Sequence, residues 1–394
     1  MRRALLALGF LAFVSPAMSS PAPPEELARL PEGARAIAHG FADLPGWAED
    51  DHAAAFVAFR VTCESILAEK PALRDALPAS TALVEACRAA MAAGTEISRT
   101  QARRFFEAYF QPFEILPASG NGFLTAYYEP ELEASASRND DFPVPVLARP
   151  ADLVTLKQGE TRPGLDPKLQ SARQTAAGLE PFPDRAAIWA GILDGQGLEI
   201  AWLRDHADLF ITQVQGSARV KFTDGSRARL VYAGRNGHPY TSVGRKIVES
   251  GGMALEEMTL AKLMAYLRAD SARGRALMEQ NRSYVFFALD RDLPADQGPI
   301  GGAGVPLTSG RSLAVDRTIW PYGLPVFIET NPLTPAGPRA RIARLMVAQD
   351  TGSAILGPAR GDYFMGSGAQ AGDRAGLVRD SMRFIILLPR GAAK

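Results

Sequence analysis

The amino-acid sequence predicts an α+β fold that is mainly β, with helices at its N-terminal end. Three observations lead to this prediction. Roughly residues 50–113 carry apolar residues at helical spacing, whereas the chain beyond Gly122 is rich in short strand-like runs and loops. The 36 glycines and 29 prolines indicate many turns rather than a helical bundle. Helices precede a β-rich middle and further helices precede a β-rich end, which is typical of an α+β chain with two β modules.

Length, charge and composition limit the classes of function. The chain has 394 residues, which is enough for two domains, and 43 basic residues balance 43 acidic ones. Because nucleic-acid binding requires a basic face, a nucleic-acid partner is not expected. None of the four histidines pairs with another at the spacing of metal ligands. The sequence therefore predicts no metal site and no cofactor.

The N-terminal residues are typical of a cleaved secretory signal. Arg2 and Arg3 form a short positive region, residues 4–14 are apolar but too few to span a bilayer, and residues 15–19 include several small side chains. The alternative is a buried N-terminal helix. We expect residues 1–19 to be removed and the mature protein to be exported to the periplasm, with no transmembrane segment. Because no cysteine follows the apolar stretch, an outer-membrane lipid anchor is not expected.

Cys63 and Cys87 are the only cysteines in the sequence. Each lies on the apolar face of a predicted helix, and a proline-containing segment connects the two helices, so that they could pack antiparallel. An exported compartment permits disulfide formation, which favours a bond between them. The alternative is a pair of buried free thiols.

Further elements follow from local patterns. A strand is predicted from Gly122 onward, ending near Pro130. Two runs within residues 214–232 flank Thr223-Asp224-Gly225-Ser226, which predicts a β-hairpin. Apolar spacing predicts a helix over Leu255–Arg268 and a second one over about residues 272–280. Buried strands are predicted at four later segments: Tyr284–Leu289, Val326–Glu329, Leu345–Ala348 and Phe384–Leu388.

The chemical groups of the C-terminal part are carboxylates. A serine nucleophile would need a histidine base, and the sequence has no histidine there. The glycine-rich segment 298–304 is followed by no predicted helix, which argues against a phosphate-binding loop. What remains is Asp316, Asp350 and Asp362, each beside apolar residues that could keep a carboxyl group protonated. Gly361 is expected to let a bulky substrate approach the backbone. The alternative for each aspartate is turn capping or an ion pair with a neighbouring arginine.

An ordered series of motifs resembles the MltA family of lytic transglycosylases. In the middle of the chain it comprises Thr125-Ala-Tyr-Tyr-Glu-Pro-Glu-Leu, Gln213-Val-Gln-Gly-Ser-Ala-Arg-Val, Gly234-Arg-Asn-Gly-His-Pro-Tyr and Asn281-Arg-Ser-Tyr-Val-Phe-Phe. At the C-terminal end it comprises Ser312-Leu-Ala-Val-Asp-Arg, Trp320-Pro-Tyr-Gly, Ala348-Gln-Asp-Thr-Gly and Gly361-Asp-Tyr-Phe-Met-Gly-Ser-Gly. The resemblance covers roughly residues 100–390. Ser353 departs from the pattern, because the family usually has a glycine at this position.

The resemblance implies a double-psi β-barrel that carries three aspartates, with a helical N-terminal part and an inserted second β-barrel domain. Residues 20–124 would form the mainly helical part of the catalytic domain. Residues 125–280 would form the inserted β domain that is specific to the family, and residues 281–394 the three-aspartate domain. A groove between the two barrels would receive a glycan strand.

The resemblance also implies an activity. Members cleave the β-1,4 bond between N-acetylmuramic acid and N-acetylglucosamine in peptidoglycan and leave a 1,6-anhydromuramic acid end. We therefore expect an exolytic peptidoglycan transglycosylase, although the residues by themselves do not separate exo from endo action. The expected partners are peptidoglycan glycan strands, with other cell-wall enzymes as further candidates.

The resemblance implies roles for individual residues. Asp362 is expected to act as the acid/base and Asp350 as a supporting carboxylate of the catalytic pair. Substrate binding is expected of seven other residues: Tyr127, Gln213, Gln215, Asn236, Tyr240, Asp316 and Gly366. A structural role is the alternative for Asp316, and turn or strand packing is the alternative for the amides and Tyr240.

Two other functions remain open at this point. One is a non-catalytic glycan-binding or wall-loosening protein built on the same barrel. The other is an inverting hydrolase in which Asp350 activates water. Products of digestion separate the three, because a binder releases no soluble fragments and a hydrolase adds the water that anhydro products lack.

Overall fold

The computed structural model of the protein describes residues 24–391, apart from residues 158, 159, 161, 293 and 295. The expected signal segment, residues 1–19, lies outside the described residues. The described part mixes helices and strands, with more residues in strands, in agreement with the predicted fold class. No helix in this part combines the length and apolarity that crossing a bilayer requires.

The N-terminal part contains three helices and three strands: β1 (Arg35–Ala38), α1 (His52–Leu67), α2 (Thr81–Ala92), α3 (Arg99–Tyr109), β2 (Phe110–Leu116) and β3 (Gly122–Glu129). Each helix begins at a polar side chain that accepts a backbone N–H from the first turn, namely Asp51, Ser80 and Ser98. Cys63 on α1 and Cys87 on α2 form a disulfide, with their Cα atoms 4.9 Å apart. The bond holds α2 against α1.

The middle of the chain contains nine strands and five helices among its described residues: β4 (Glu131–Ala134), β5 (Val144–Leu147), β6 (Leu153–Thr155), β7 (Ser171–Thr175), β8 (Gly178–Glu180), α4 (Arg185–Trp189), β9 (Glu199–Leu203), α5 (His206–Gln215), β10 (Ala218–Phe222), β11 (Arg227–Arg235), α6 (Val243–Glu249), α7 (Leu260–Ala269), α8 (Ser271–Glu279) and β12 (Val285–Asp290). We call residues 130–290 the inserted segment. The predicted hairpin is present as β10 and β11, which pair antiparallel.

The predicted helix over Leu255–Arg268 is divided in the structure. A 3₁₀ turn covers Leu255–Glu257, and α7 begins only after Thr259, whose side chain accepts the backbone N–H of Lys262. A threonine that accepts this bond is a typical helix start, because the first backbone N–H groups of a helix have no partner within it. Further 3₁₀ turns cover Glu25–Arg29 and Phe41–Asp43.

The C-terminal part contains five strands and one helix among its described residues: β13 (Ser312–Ala314), β14 (Pro325–Thr330), β15 (Ile342–Asp350), β16 (Arg360–Ser367), α9 (Ala369–Ala375) and β17 (Arg379–Pro389). Three of the predicted strands, at residues 326–329, 345–348 and 384–388, lie within β14, β15 and β17. Their apolar side chains are buried in one large core that also takes in α1, α2 and α3.

The strand pairings close a ring at the centre of the molecule. The order β3–β16–β13–β15–β14–β17 is continuous, and the N-terminal half of β17 pairs back onto β3. The long strand β17 also pairs with β2, which extends the sheet to β1. A closed ring has no free edge along these strands, which suits a barrel. The double-psi crossing within it stays a prediction.

The inserted segment is built from several small sheets. Among the described residues its strands pair as β12–β11–β10–β4, β5–β9 and β6–β7–β8. An isolated β-bridge between Ser135 and Trp202 links the end of β4 to β9. The expected second barrel stays a prediction.

The predicted bounds of the inserted domain, residues 125–280, stay a prediction, and strand pairing shows which sheets their neighbours join. Strand β3 pairs with β16 and β17, so residues 125–129 belong to the barrel. Strand β12 pairs with β11, and its side chains Phe286 and Phe287 pack in cores of the inserted segment. An apolar run shows that a strand is buried but does not show which sheet it joins.

Candidate active site

Strand register brings Asp350 and Asp362 to the same part of the barrel. Ala314 on β13 pairs with Asp350 on β15 and with Asp362 on β16. On the other side of β16, Thr125 on β3 pairs with Asp362. Residues that pair across neighbouring strands share a face of the sheet. Two strand spacings separate the aspartates, about 10 Å between Cα atoms.

A register shift at β13 places Asp350, instead of Gln349, opposite Ala314. Leu313 pairs with Ala348 and the next residue, Ala314, pairs with Asp350, so that Gln349 is skipped. A bulge of this kind turns a side chain away from the regular alternation. The Gln349 amide is fully buried and donates to Thr62 Oγ1 at 2.8 Å, on the side of α1. Asp350 consequently faces the same way as Asp362.

Asp350 is held by three donors. Its Oδ2 accepts from the Tyr127 hydroxyl at 2.7 Å, and its Oδ1 accepts from the backbone N–H groups of Gly302 at 2.7 Å and Thr351 at 2.8 Å. Burial raises the pKa of Asp350 above its ordinary value, and the three hydrogen bonds act in the opposite direction. A Cβ atom at position 302 would lie 2.5 Å from the Tyr322 hydroxyl, so only glycine fits there. This carboxylate joins the loop at Gly302 to β3.

Asp362 has a freer carboxylate. Its Oδ1 accepts from Thr125 Oγ1 at 2.5 Å, and Thr125 Oγ1 accepts in turn from Arg360 Nη2 at 2.6 Å. No other described residue donates a hydrogen bond to Asp362. Burial raises the pKa of Asp362 to about 6, while the Arg360 charge and the Thr125 hydroxyl lower it and the Asp350 charge adds to the rise. A carboxyl group with this pKa can hold or release a proton near neutral pH.

A cleft of about 680 Å³ opens beside the aspartates, between the barrel and the inserted segment. Asp350 and Tyr127 line it, and Asp362 lies outside the enclosed volume, two strands from Asp350. The barrel contributes backbone-rich loops, and the inserted segment contributes polar side chains. The lining from these two parts includes Gly301, Gly302, Thr351, Gly352, Gln213, Gln215, Ser217, Tyr232 and Arg235. Leu73 and Arg74 come from the segment between α1 and α2.

Besides Tyr127, three of the expected substrate contacts lie at or near the cleft. Gln213 lines it, but its amide is engaged, since Nε2 donates to Val285 O at 2.8 Å and Oε1 accepts from Arg185 Nη1 at 2.5 Å. Gln215 lines it too, with Oε1 accepting from the Tyr128 backbone N–H at 3.0 Å. Burial raises the pKa of Tyr240, and the Asp362 charge contributes to that rise. This tyrosine of the inserted segment therefore lies within electrostatic range of Asp362.

The polar groups of Asn236 and Asp316 have partners within the fold, and substrate binding by these two residues stays a prediction. Asn236 is completely buried, and its amide bonds the backbone of Pro183, Arg282 and Tyr284. Asp316 is buried as well, and its two oxygens accept from Thr318 and from the Gly357 backbone N–H at 2.7 Å. Their hydrogen-bonding capacity is used within the fold, so Asp316 positions the loop between β15 and β16.

Gly361 and Gly366, the two glycines near Asp362, are required by local packing and backbone conformation. A Cβ at Gly361 would lie 3.1 Å from Leu313 Cδ1, in the apolar core, so the expected substrate approach at this residue is wrong. Gly366 has a φ of 105°, which favours glycine, and a Cβ there would lie 2.9 Å from Ser309 Oγ. Gly366 therefore allows the bend of β16.

Sequence reasoning missed several residues that shape the site. Thr125 and Arg360, which bond one another beside Asp362, lie in or next to the quoted motifs and could have been found there. Arg74 and Arg235 line the cleft, and nothing in the local pattern around Arg74 points to this. No group of three or more histidine, cysteine, aspartate or glutamate side chains within the described residues is arranged to hold a metal ion.

Family models match most of the barrel and the inserted segment. The model described as the MltA specific insert domain matches residues 123–288, and the model described as the 3D domain matches residues 311–388. Among curated proteins, the chain is 34% identical over 262 residues to membrane-bound lytic murein transglycosylase A of Vibrio cholerae and 34% identical over 273 residues to that of Escherichia coli. These matches span 65% and 68% of this chain, and 62% and 66% of the two relatives.

Solved structures extend the similarity over almost the whole chain. A membrane-bound lytic murein transglycosylase from Agrobacterium tumefaciens is 42% identical, with a TM-score of 0.81, and the match covers 90% of this chain and 98% of that one. MltA from Neisseria gonorrhoeae is 30% identical with a TM-score of 0.72, over 92% of this chain and 94% of that one. Escherichia coli MltA with bound chitohexaose is 26% identical with a TM-score of 0.63, over 92% and 94%. Together, the strand pairings, the aspartate pair and these similarities show that this chain belongs to the MltA family of lytic transglycosylases.

Proposed function

We propose that the protein is an exported murein lytic transglycosylase. It cleaves the β-1,4 bond between N-acetylmuramic acid and N-acetylglucosamine and leaves a 1,6-anhydromuramic acid end. Family membership and the names of the relatives support the reaction class. A glycan substrate is supported by the chitohexaose bound to the Escherichia coli relative. The cleft between barrel and inserted segment is the place where the glycan strand would lie.

In the first step of this proposal, Asp362 acts as a general acid. Its protonated carboxyl group donates to the glycosidic oxygen as the bond from C1 to that oxygen breaks. Burial, which raises the pKa of Asp362 to about 6, supports this role because an ordinary aspartate holds too little proton near neutral pH. Positive charge develops at C1 of the muramic acid residue.

In the second step the same carboxylate acts as a base. The C6 hydroxyl of the muramic acid attacks C1, a bond forms between O6 and C1, and the hydroxyl proton passes to Asp362. The proton that was donated is thereby recovered, and no water enters the product. Attack within one sugar ring benefits from a high effective concentration. One free carboxylate is enough, whereas ordinary glycosidases use two.

The difference between the two aspartates carries the proposal. Asp350 accepts three hydrogen bonds, so it is poorly placed to activate water or attack the sugar. Asp362 accepts one, from Thr125, and keeps one oxygen free of protein donors among the described residues. The site therefore offers one carboxylate for proton transfer, and the other carboxylate stabilises the loop at Gly302.

Digestion of purified sacculi tests the proposal. We expect soluble muropeptides that are one water lighter than hydrolysis products, as measured by mass spectrometry. The Asp362→Asn variant should lose turnover by about 10³-fold or more, because a general acid/base contributes about 10² to 10⁴. The matched control is Asp373→Asn, at an exposed position on α9, which should keep full activity. Products with added water would favour an inverting hydrolase, and the absence of soluble products would favour a binding protein. A fully active Asp362→Asn variant would refute the assignment of this residue.

We also propose that the protein acts in the periplasm. The disulfide between Cys63 and Cys87 supports export, because such bonds persist in oxidising compartments. Fractionation of cells that produce the full chain, with thiol alkylation before lysis, tests this. The protein is expected in the periplasmic or envelope fraction with both cysteines unmodified, and alkylated protein in the cytoplasm would contradict the proposal.

A further inference from the structure

Three arginine side chains lie near one another, and two of them, Arg74 and Arg235, line the cleft. Arg74 comes from the segment between α1 and α2, Arg235 from the end of β11 and Arg317 from the residues after β13. They are close enough that the charges of Arg74 and Arg317 lower the pKa of Arg235, and the charge of Arg74 lowers that of Arg317. Arg74 also lies over the ring of Tyr232, 5.5 Å from its centroid. We call these three residues the arginine cluster.

Arg235 is the most buried member of the cluster. It is 5% exposed and lines the cleft, yet its guanidinium bonds only neutral groups, Ser353 Oγ and Gln170 Oε1. Burial, followed by the Arg74 charge, lowers its pKa to about 10. A buried cation without an anionic partner is unfavourable. A bound anion at the cleft would offset that cost.

The other two members also lack an ion pair. Arg317 Nη1 donates to the backbone oxygen of Asp75, whose own carboxylate is exposed. The charge of Arg74 lowers the pKa of Asp350, but that carboxylate already accepts three other hydrogen bonds. Within the described residues, no carboxylate oxygen comes within 4.0 Å of a guanidinium nitrogen of the cluster. The Asp75 charge raises the pKa of Arg317 from a distance, but no carboxylate among the described residues forms a close ion pair with any of the three guanidinium groups.

We propose that the arginine cluster binds a carboxylate of the glycan substrate. This inference rests on the proposed function and assigns a substrate feature to one end of its cleft. Guanidinium groups recognise carboxylates through paired, charge-assisted hydrogen bonds. Peptidoglycan offers this chemistry in two places, at the lactyl group of muramic acid when no peptide is attached and at the stem peptide when one is. A neutral N-acetylglucosamine oligomer offers neither.

Binding measurements with three defined ligands test the proposal. The inactive Asp362→Asn protein is titrated calorimetrically with chitohexaose, with a muramic acid-containing glycan stripped of peptides, and with the same glycan carrying its peptides. The variants Arg74→Gln and Arg235→Lys are added to this background. Arg74 is partly exposed, so its variant is expected to fold even if the buried Arg235 position does not tolerate change. The matched control is Arg88→Gln, at an exposed position on α2.

We expect at least one carboxylate-bearing glycan to bind about tenfold or more tightly than chitohexaose, with the preference reduced at high salt. Arg74→Gln should remove the preference and leave chitohexaose affinity unchanged, whereas Arg88→Gln should change neither. Preference for the stripped glycan identifies the lactyl carboxylate, and preference for the peptide-bearing glycan identifies the stem peptide. Equal affinity for all three glycans, or a preference that survives in Arg74→Gln, overturns the inference alone. Failure to bind any glycan counts against the proposed function itself.

Discussion

Two aspartates with the same side chain have different surroundings in this site. Asp350 is held by Tyr127 and by two backbone N–H groups, whereas Asp362 has only the Thr125 hydroxyl. Apolar residues precede Asp350 and follow Asp362 in the sequence. This pattern correctly predicts that the pKa of each carboxyl group is raised. The sequence does not show which of them is tethered, because two of the three donors to Asp350, Tyr127 and Gly302, lie more than forty positions away in the chain.

The raised pKa of Asp362 has a consequence for stability. The folded protein binds this proton more tightly than the unfolded chain, with a pKa of about 6 against 3.8. Stability is therefore lost as the pH rises from about 4 to about 6. Asp362→Asn should be more stable than the wild type above this window, by at most about 3 kcal/mol, and the advantage should disappear below pH 4. Urea unfolding at a series of pH values measures this, and a constant difference would contradict the pKa.

Burial raises the pKa of Asp362, and Thr125 on the neighbouring strand opposes part of that rise. Its hydroxyl lowers that pKa, so Thr125→Val should raise it and move the alkaline limb of the activity profile to higher pH by about one pH unit. Thr125→Ser keeps the hydroxyl and should restore the wild-type profile. Initial rates of sacculus digestion between pH 4 and 9 provide the measurement. A uniform loss of rate without a change in profile would indicate a purely structural role.

Among the elements, the short strand β13 determines the position of Asp350, and the α1–α2 pair contributes to the core of the barrel. Strand β13 has three residues, and its register shift brings Asp350 beside Ala314 and Asp362. The three N-terminal helices pack their apolar faces into the core of the barrel, where Phe56, Phe59 and Phe106 are fully buried. A disulfide that stabilises α1 and α2 therefore also stabilises the wall of the barrel.

The disulfide should contribute to the stability of the whole protein. Cys63 and Cys87 are 24 positions apart, and a closed loop of this length stabilises a fold by about 3 kcal/mol in the chain-entropy model. We expect the double variant Cys63→Ala/Cys87→Ala to lose that amount in urea unfolding. A reducing agent should lower the stability of the wild type to a similar value and leave the double variant unchanged. Insensitivity of the wild type to reduction would indicate that the bond is absent or without effect.

At the scale of the whole molecule, one buried carboxylate joins the barrel to the inserted segment. Glu129 lies at the end of β3 and is fully buried. Its oxygens lie 2.6 Å from Arg229 Nε and 2.9 Å from Arg219 Nε, on β11 and β10, and it accepts from Ser367 Oγ on β16 at 2.7 Å. The cleft lies between the same two parts, so this cluster helps to set its shape.

Removing the Glu129 charge should destabilise the protein. In Glu129→Gln the guanidinium of Arg229 would remain buried without its partner, at a cost of about 3–5 kcal/mol. The matched control is Glu131→Gln, because Glu131 is 55% exposed and lies 3.4 Å from Arg219, where an ion pair contributes about 1 kcal/mol or less. Thermal and urea unfolding of both variants test this. Similar small losses in the two variants would show that the buried cluster does not stabilise the fold.

The sequence by itself determined the position of part of the local elements and the family of the chain. Periodicity located the N-terminal helices, α7 and α8, but not α4, α5, α6 or α9. Turn residues located the hairpin of β10 and β11, and apolar runs located β12, β14, β15 and β17. These features depend on near neighbours in the chain. The ordered motifs then pointed to the right family without any coordinates.

Only the tertiary structure decided which strands pair and which polar groups meet. It paired β12 with β11, buried Asn236 and Asp316 in hydrogen bonds, and brought Arg74 and Arg235 to one cleft. Each outcome depends on contacts between residues far apart in the chain. Local patterns record how deeply a residue is buried, whereas strand register and packing determine what it is buried against.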